Sequence, residues 1–259
     1  MTNQHLQALN SMTKYPSIPT YHGMGERGRL TEKRVPLAGK VVIREKIDGT
    51  NARIVFAPRP GYIIGSREGL LHGRGDLIWN PDMGIVDAIR GLAEQMFQRA
   101  ADLTLNKKGL IVFFGEVYGG DIGRSAKQYT GYGATGFRLF DVAWVPDWTE
   151  MLAWEPEKIA SWRDHGGQQF LGESELRRYA ELYNLSLCPL VAEDDAANLP
   201  TGHHETLEWL RRILGRSLAG LDARAALRPE GVVVRTTDRK TIVKIRHEDY
   251  ERTLKAAGA

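Results

Sequence analysis

One lysine stands where ordinary packing gives it little to do. Residues 44–51 read Arg44-Glu45-Lys46-Ile47-Asp48-Gly49-Thr50-Asn51, a charged cluster with a glycine between two β-branched runs, 41–43 and 52–56. Taken alone, so short a pattern is ordinarily a charged turn. The chemical alternative is a nucleophilic amine. An amine attacks phosphorus only when neutral, and a free lysine (pKa ~10.4) is neutral in well under ~1% of molecules at pH 7. A nucleophilic lysine therefore needs cations, a metal ion or desolvation around it. Arginine could not take its place. The sequence must supply those cations further along.

Further segments combine reactive residue types with strand-like patterning. Residues 65–68, Gly-Ser-Arg-Glu, close a strand with Arg67, and residues 113–119, Phe-Phe-Gly-Glu-Val-Tyr-Gly, set Glu116 among apolar neighbours. In 137–142, Phe-Arg-Leu-Phe-Asp-Val, strict alternation would put Phe137, Leu139 and Asp141 on one face. Residues 230–235 place Glu230 just before Val232-Val233-Val234, and 241–246 carry Lys244 and Arg246 at i and i+2, on one face of a strand. Each has a plain alternative. Glu116 could cap a turn, Phe137 could be core, Glu230 could pair with Arg228 or Arg235, and Lys244 with Arg246 could protect an edge strand.

The ordered set is harder to explain singly. Lys-x-Asp-Gly, Ser-Arg, Phe-Gly-Glu, Phe-x-x-Phe-Asp, Glu-Gly-Val-Val-Val-Arg and Lys-x-Arg together resemble the covalent nucleotidyltransferase superfamily of polynucleotide ligases and capping enzymes. The Glu-Lys-x-x-Gly-Thr-Asn version at 45–51 is most similar to the ATP-dependent RNA ligases that seal nicked duplex RNA. The resemblance runs from about Val41 to Arg246. It implies an α+β fold of two mainly antiparallel sheets with flanking helices and the nucleotide between them.

The resemblance also implies roles. Lys46 would take AMP from ATP, with Lys244 and Arg246 supplying positive charge at the α-phosphate, and Mg²⁺ or Mn²⁺ would assist with Glu230 as its carboxylate. Glu45, Ile47, Asp48 and Asn51 would line the nucleotide. Asp48 would orient the loop or serve the metal, and Asn51 would help place the reacting 3′ end. Glu116 would accept from ribose hydroxyls, Arg67 would meet ribose or an incoming phosphate, and Phe137 would offer a flat face to adenine. RNA, nicked or templated, would be the partner. A capping-type guanylyltransferase, a DNA ligase, and a non-catalytic nucleic-acid-binding module with this fold are the competing interpretations. One departure stands out: the family's last motif is usually Lys-x-Lys, and here it ends in Arg246.

These residues need a frame. The 259 residues, 42% hydrophobic and 26% charged, are enough for a real core and are not a disordered composition. The net charge of +3 (pI ≈ 8.9) permits a polyanionic partner without demanding one. Cationic residues are densest in the last third. Short runs at 41–43, 52–56, 62–64, 110–114 and 137–142 predict strands, and 81–103 predicts an amphipathic helix through Met83, Val86, Ile89, Ala93 and Met96. Residues 154–218 read as helical, 232–234 and 241–245 as final strands around a turn at Asp238-Arg239, and 247–257 as a closing helix. The expected organisation is one nucleotidyltransferase domain over 1–259 with an irregular lead-in at 1–39.

In that organisation there is no room for an appended nucleic-acid-binding domain. Grip on RNA is then expected from the domain's own basic surface, or from a separate end-processing or RNA-binding protein. Cys188 is the single cysteine, so no internal disulfide and no thiolate metal cluster can form. Residues 1–16 lack the apolar centre of a signal peptide and no apolar stretch approaches ~20 residues, which predicts a cytoplasmic protein without a membrane span. Two motifs are set aside. Gly23-Met24-Gly25-Glu26-Arg27-Gly28 spells a dinucleotide fingerprint but follows no apolar strand, and predicts a loop. His203-His204-Glu205 has no partner ligands and predicts a helix start.

Overall fold

The β-branched runs form strands and the segments with helical spacing form helices, grouped in blocks as in α+β chains. The computed structural model describes residues 2–57, 61–73, 76–77, 84–102, 109–123 and 125–258. The chain opens with helix α1 (Asn3–Met12), strands β1 (His22–Met24) and β2 (Leu30–Arg34), then β3 (Lys40–Lys46) and β4 (Thr50–Phe56). Strands β5 (Tyr62–Ser66), β6 (Leu70–Gly73) and β7 (Asp76–Leu77) lead to helix α2 (Ile85–Asp102) and the long strand β8 (Gly109–Gly119). The single-turn α3 (Ala126–Tyr129), strand β9 (Thr135–Pro146), helices α4 (Trp148–Met151) and α5 (Pro156–Asp164) and strand β10 (Gln169–Phe170) follow. Helix α6 (Glu173–Tyr183), strand β11 (Leu190–Asp195), helix α7 (His203–Ile213), strands β12 (Gly231–Thr236) and β13 (Ile242–Arg246) and helix α8 (His247–Ala257) complete it.

Two antiparallel sheets carry the site. Among the described residues the larger has the order β10-β9-β8-β4-β5-β6-β7 and the smaller β11-β3-β12-β13. One face of the large sheet packs Ala52, Ile54, Phe113 and Leu139 against α2 and α6. Its other face buries Val55, Val112, Phe114 and Ala143 under α1, α4 and α5. The outer face of the small sheet sends Val41, Ile43, Val232, Val234, Val243 and Ile245 against α7 and α8. Its inner face is left to look at the large sheet across a cleft. No helix among the described residues is long and apolar enough to cross a membrane.

Several expectations change. The lead-in is not irregular. Thr2 caps α1 by accepting from His5 N (3.3 Å), and Ala8, Leu9 and Met12 are buried at helical spacing. These apolar residues are too few among polar ones for periodicity to stand out. Of the glycine-rich stretch at 23–28, Gly23 and Met24 end strand β1 and the rest is the expected loop, the connection of the β1–β2 hairpin with a 3₁₀ turn at Glu26–Gly28. The stretch taken as helical, 154–218, contains β11, an edge strand whose acidic sequence Leu-Val-Ala-Glu-Asp-Asp hides its pairing with β3. The predicted helix over 81–103 is α2 where it can be compared, and residues 81–83 and 103 lie outside the described residues. The final hairpin and closing helix stand as expected, and α7 starts at His203, with Glu205 accepting from Gly202 N (3.2 Å).

Candidate active site between the two sheets

Alternation places the lysine. With Val41 and Ile43 committed to the outer core, Val42, Arg44 and Lys46 must face the cleft. The same parity turns Val233 and Arg235 of β12, and Ile242, Lys244 and Arg246 of β13, to the inner face. Lys46 is the last residue of β3 and pairs with Gly231, which pairs in turn with Arg246. A side chain at Gly231 would meet Ile245 O at 2.1 Å, so glycine lets the two strands close here.

The turn at 47–49 is held from below. Ile47 is buried with Tyr118, Tyr129, Cys188 and Ala219. Asp48 N donates to Tyr129 Oη (2.7 Å), the Ser125 hydroxyl donates to Asp48 Oδ2, and Gly49 N donates to Glu116 Oε1 (3.2 Å). A Cβ on Gly49 would stand 2.3 Å from Val117 O, so only glycine fits against β8. On the large sheet Asn51 pairs with Glu116, and both line the cleft.

Charge converges on the amine. Lys46 Nζ lies 2.6 Å from Glu230 Oε2, and the other Glu230 oxygen is 4.0 Å from Arg246 Nη1. Burial raises the Glu230 carboxyl against the pull of Lys46. Burial also pushes Glu116 up to about 8, opposed by Lys46 and reinforced by Glu230 and Asp48. The Lys244 amine is lowered by burial, then by repulsion from Arg246 and Lys46. The cations that a nucleophilic lysine requires are therefore within electrostatic reach.

The base of the cleft is a buried ion-pair network that ties the sheets together. Arg44 and Arg235 of the small sheet hold Glu173 at the start of α6 (2.6 and 2.7 Å). Arg235 also meets Asp141 of β9 (3.0 Å), which accepts from Arg239 Nε (2.7 Å) and Tyr15 Oη (2.8 Å). Hydrogen bonding to the ionised form is what makes such burial tolerable. Above this floor lies a cavity of ≈ 450 Å³, in the range of small-ligand sites. Its walls include Lys46, Asp48, Asn51, Arg67, Glu116 and Lys244. Asn51 Oδ1 is buried without a hydrogen-bond partner, an acceptor suited to a ligand that brings its own donors. Among the described residues no group of three or more His, Cys, Asp or Glu side chains could hold a metal ion. Glu230 and Glu116 are carboxylates within the charge cluster that could share a cation with a bound phosphate.

Three predicted residues sit differently from expectation. Phe137 does not reach the cavity. It packs on the α2/α6 side over Gly115, whose Cβ would stand 2.2 Å from the ring. The reason is a bulge in β9: Phe114 pairs with Asp141 but Gly115 with Leu139. The extra residue puts Asp141 on the same side as Phe140, where it meets Tyr15 and Arg235, while Phe137 and Leu139 stay in the core. Phe140 is the aromatic that lines the cavity. Arg246 is drawn off the cavity wall by α8, which begins at the next residue. Asp249 takes its Nε and Nη2 (2.8 and 2.9 Å) and Glu248 its Nη1 (2.9 Å). Glu45 borders the cavity, but its carboxylate is spent on the Ser217 hydroxyl and Leu218 N (2.7 Å).

Sequence reasoning missed Arg44, Arg235, Phe140 and the segment Tyr15 to Ile18, all of which line the cavity. Arg44 carried a signal, since it shares strand parity with Lys46 on β3. Phe140 carried none, because a bulge leaves no mark in alternation.

A family model described as RNA ligase matches residues 39–256. No curated protein matches the chain. Among solved structures it is similar to a lysine-to-alanine variant of Naegleria gruberi RNA ligase with ATP and Mn, at 16% identity and TM-score 0.54 over 84% of this chain and 52% of that one. A lysine-to-methionine variant of the same ligase with AMP and Mn gives 15% identity and TM-score 0.59, over 93% and 58%. At such identities the likeness is one of fold. The chain spans a little over half the length of these solved ligases.

Proposed function

This chain belongs to the RNA ligase family, and we propose that it joins RNA 3′-hydroxyl and 5′-phosphate ends through AMP carried on Lys46. One observation carries the proposal: the β3 lysine faces a cavity whose walls hold Glu116 and Lys244, with Glu230 2.6 Å from its amine. The matched Naegleria structures hold ATP or AMP with Mn, which supports ATP as the donor here.

Lys46 Nζ attacks the α-phosphorus of ATP, the bond to the bridging oxygen breaks, pyrophosphate leaves, and the amine loses a proton. A 5′-phosphate oxygen of RNA next displaces the lysine, and a 3′-hydroxyl then displaces AMP to leave a phosphodiester. Each step is a transfer at phosphorus, in which position and charge count most. Lys244 faces the phosphates, and Arg246 adds charge from behind its Asp249 anchor. Glu116 accepts from the ribose, Asn51 and Arg67 face the nucleotide or the incoming end, and Phe140, not Phe137, stands by the base. Asp48 fixes the turn at 47–49 through Ser125. A divalent cation, Mg²⁺ or Mn²⁺, supplies neutralisation of phosphate charge when bound, with Glu230 as the carboxylate for it.

The test is labelling. The protein incubated with radiolabelled ATP and a divalent cation becomes labelled on a denaturing gel, and Lys46→Ala does not. Label from GTP alone points to a capping-type activity, and label on Lys46→Ala removes the covalent step. Efficient joining of DNA-only nicks, set against RNA-containing ones, would overturn the substrate assignment.

A further inference from the structure

Beside the lysine turn, on the Asp48 and Glu230 side, lies a surface that the proposed chemistry does not use. The segment between α7 and β12 starts against Glu45 through Ser217 and Leu218 and ends at Glu230, the partner of Lys46. Between these points it runs along the α3 segment. Leu221 N donates to Tyr129 O (2.7 Å), Ala226 N to Lys127 O (3.1 Å) and Leu227 N to Gln128 O (2.9 Å). Asp222 accepts from the Thr130 hydroxyl and from the N–H groups of Gly131 (3.0 Å), Tyr132 (3.2 Å) and Arg224 (2.9 Å). Two segments so fastened form one ridge, and Tyr129 Oη joins it to the backbone of Asp48.

The ridge presents an aromatic ring and unneutralised cations. Tyr132 is 64% exposed, unusual for so large a ring, and the Arg224 guanidinium lies 4.7 Å from its centroid. Lys127, Arg216, Arg224 and Arg228 are exposed, and none makes an ion pair among the described residues. The local acid, Asp222, is occupied with the hydrogen bonds just named. By contrast Lys14 and Arg67, on the other side of the cavity, share Glu68. A ring held by an arginine, with free cations around it, is the combination that binds an unpaired nucleotide: the base stacks and the phosphates meet the charges.

Resting on the reading of the cleft as an RNA-joining site, we propose that the ridge formed by Tyr132, Arg224, Lys127 and Arg228 seats unpaired nucleotides of the RNA next to the end being joined. The ligand class is a single-stranded polynucleotide, recognised by stacking and by phosphate charge without base-edge reading.

The experiment measures binding of a fluorescein-labelled single-stranded RNA by anisotropy across a salt series, alongside labelling of the protein by radiolabelled ATP. Tyr132→Ala weakens RNA binding roughly tenfold or more, and Tyr132→Phe, which keeps the ring, does not. Lys127→Ala with Arg228→Ala lowers the slope of log K against log salt by ~1.4, from ~0.7 per single-strand phosphate contact. ATP labelling is unchanged in all of these variants, because none of the substituted residues lines the nucleotide cavity. Wild-type affinity and slope in the Tyr132→Ala and double variants would overturn the ridge assignment, as would equal losses for Tyr132→Ala and Tyr132→Phe. Absence of ATP labelling in the wild type would instead strike the parent reading, with the RNA measurements still reporting on the ridge.

Discussion

Glu116→Gln should change how stability depends on pH, in a direction fixed by the site. The Glu116 carboxyl is raised by burial from 4.5 to about 8 in the folded chain. Between those values the folded chain holds a proton that the unfolded chain has released. Stability from this group is therefore fully present below about pH 4.5 and is lost as pH rises through 8. At ~1.4 kcal/mol per pH unit the full window is worth up to ~5 kcal/mol. Glu116 borders an open cavity and lies within reach of Lys46, so water and the amine screen part of it, and ~2–3 kcal/mol is expected. Glutamine keeps the shape and the Gly49 contact (3.2 Å from Oε1) but cannot titrate. Urea unfolding from pH 5 to 9, wild type against Glu116→Gln, isolates the group from His22 and His247, whose lowered values affect both proteins alike. The gap in stability should shift in favour of the variant by that amount toward pH 9. Parallel curves, within ~0.5 kcal/mol, would refute the claim that burial controls this carboxyl.

Other substitutions probe the frame. Asp141→Asn leaves Arg235 and Arg239 without their shared acid and should cost ~3–5 kcal/mol in denaturant unfolding; a loss below ~1 kcal/mol would mean that the network does not tie the sheets. Gly49→Ala drives a Cβ toward Val117 O and should cost ~1–3 kcal/mol of stability by calorimetry, with ATP labelling of Lys46 lost, whereas an unchanged melting temperature would show that the turn can yield. Asp249→Asn weakens the bidentate anchor of Arg246 and should slow ATP labelling about tenfold, ~1.4 kcal/mol, with the fold retained by circular dichroism. Unchanged labelling would mean that the placement of Arg246 has no part in the transfer.

What could be read in advance was what depends on parity and hairpin chemistry. Lys46 stands out by its type within the charged cluster at 44–51 and Glu230 by its place just before Val232-Val233-Val234, whereas Lys244 and Arg246 share a face because β13 alternates without interruption. The same logic failed at β9, where one inserted residue exchanged Phe137 for Phe140 at the cavity. Arg246 was seen as charge but not as a captive, since Asp249 becomes its partner only because α8 starts without a linker. Tyr15 lies 126 residues from Asp141 in the chain and bonds to it; no local pattern announces such a contact. Its hydroxyl is pushed well above the usual range by burial and by that carboxylate.

The pairing of Lys46 with Glu230 bears on how the site must work. In the proposed transfer the amine's lone pair attacks phosphorus, so Lys46 must first give up the proton that its ion pair with Glu230, at 2.6 Å, stabilises. Glu230 can be drawn elsewhere, because its second oxygen already faces Arg246 at 4.0 Å. Lys244 and Lys46 repel one another, and an anionic phosphate between them relieves that repulsion while competing with Glu230 for the amine. The nucleotide's own charge would thus assemble the reactive arrangement, and the ligand-free site would keep its nucleophile engaged. An arginine in place of Lys46 could keep the ion pair but not give up its proton, so the proposed chemistry of this cleft requires lysine at the end of β3.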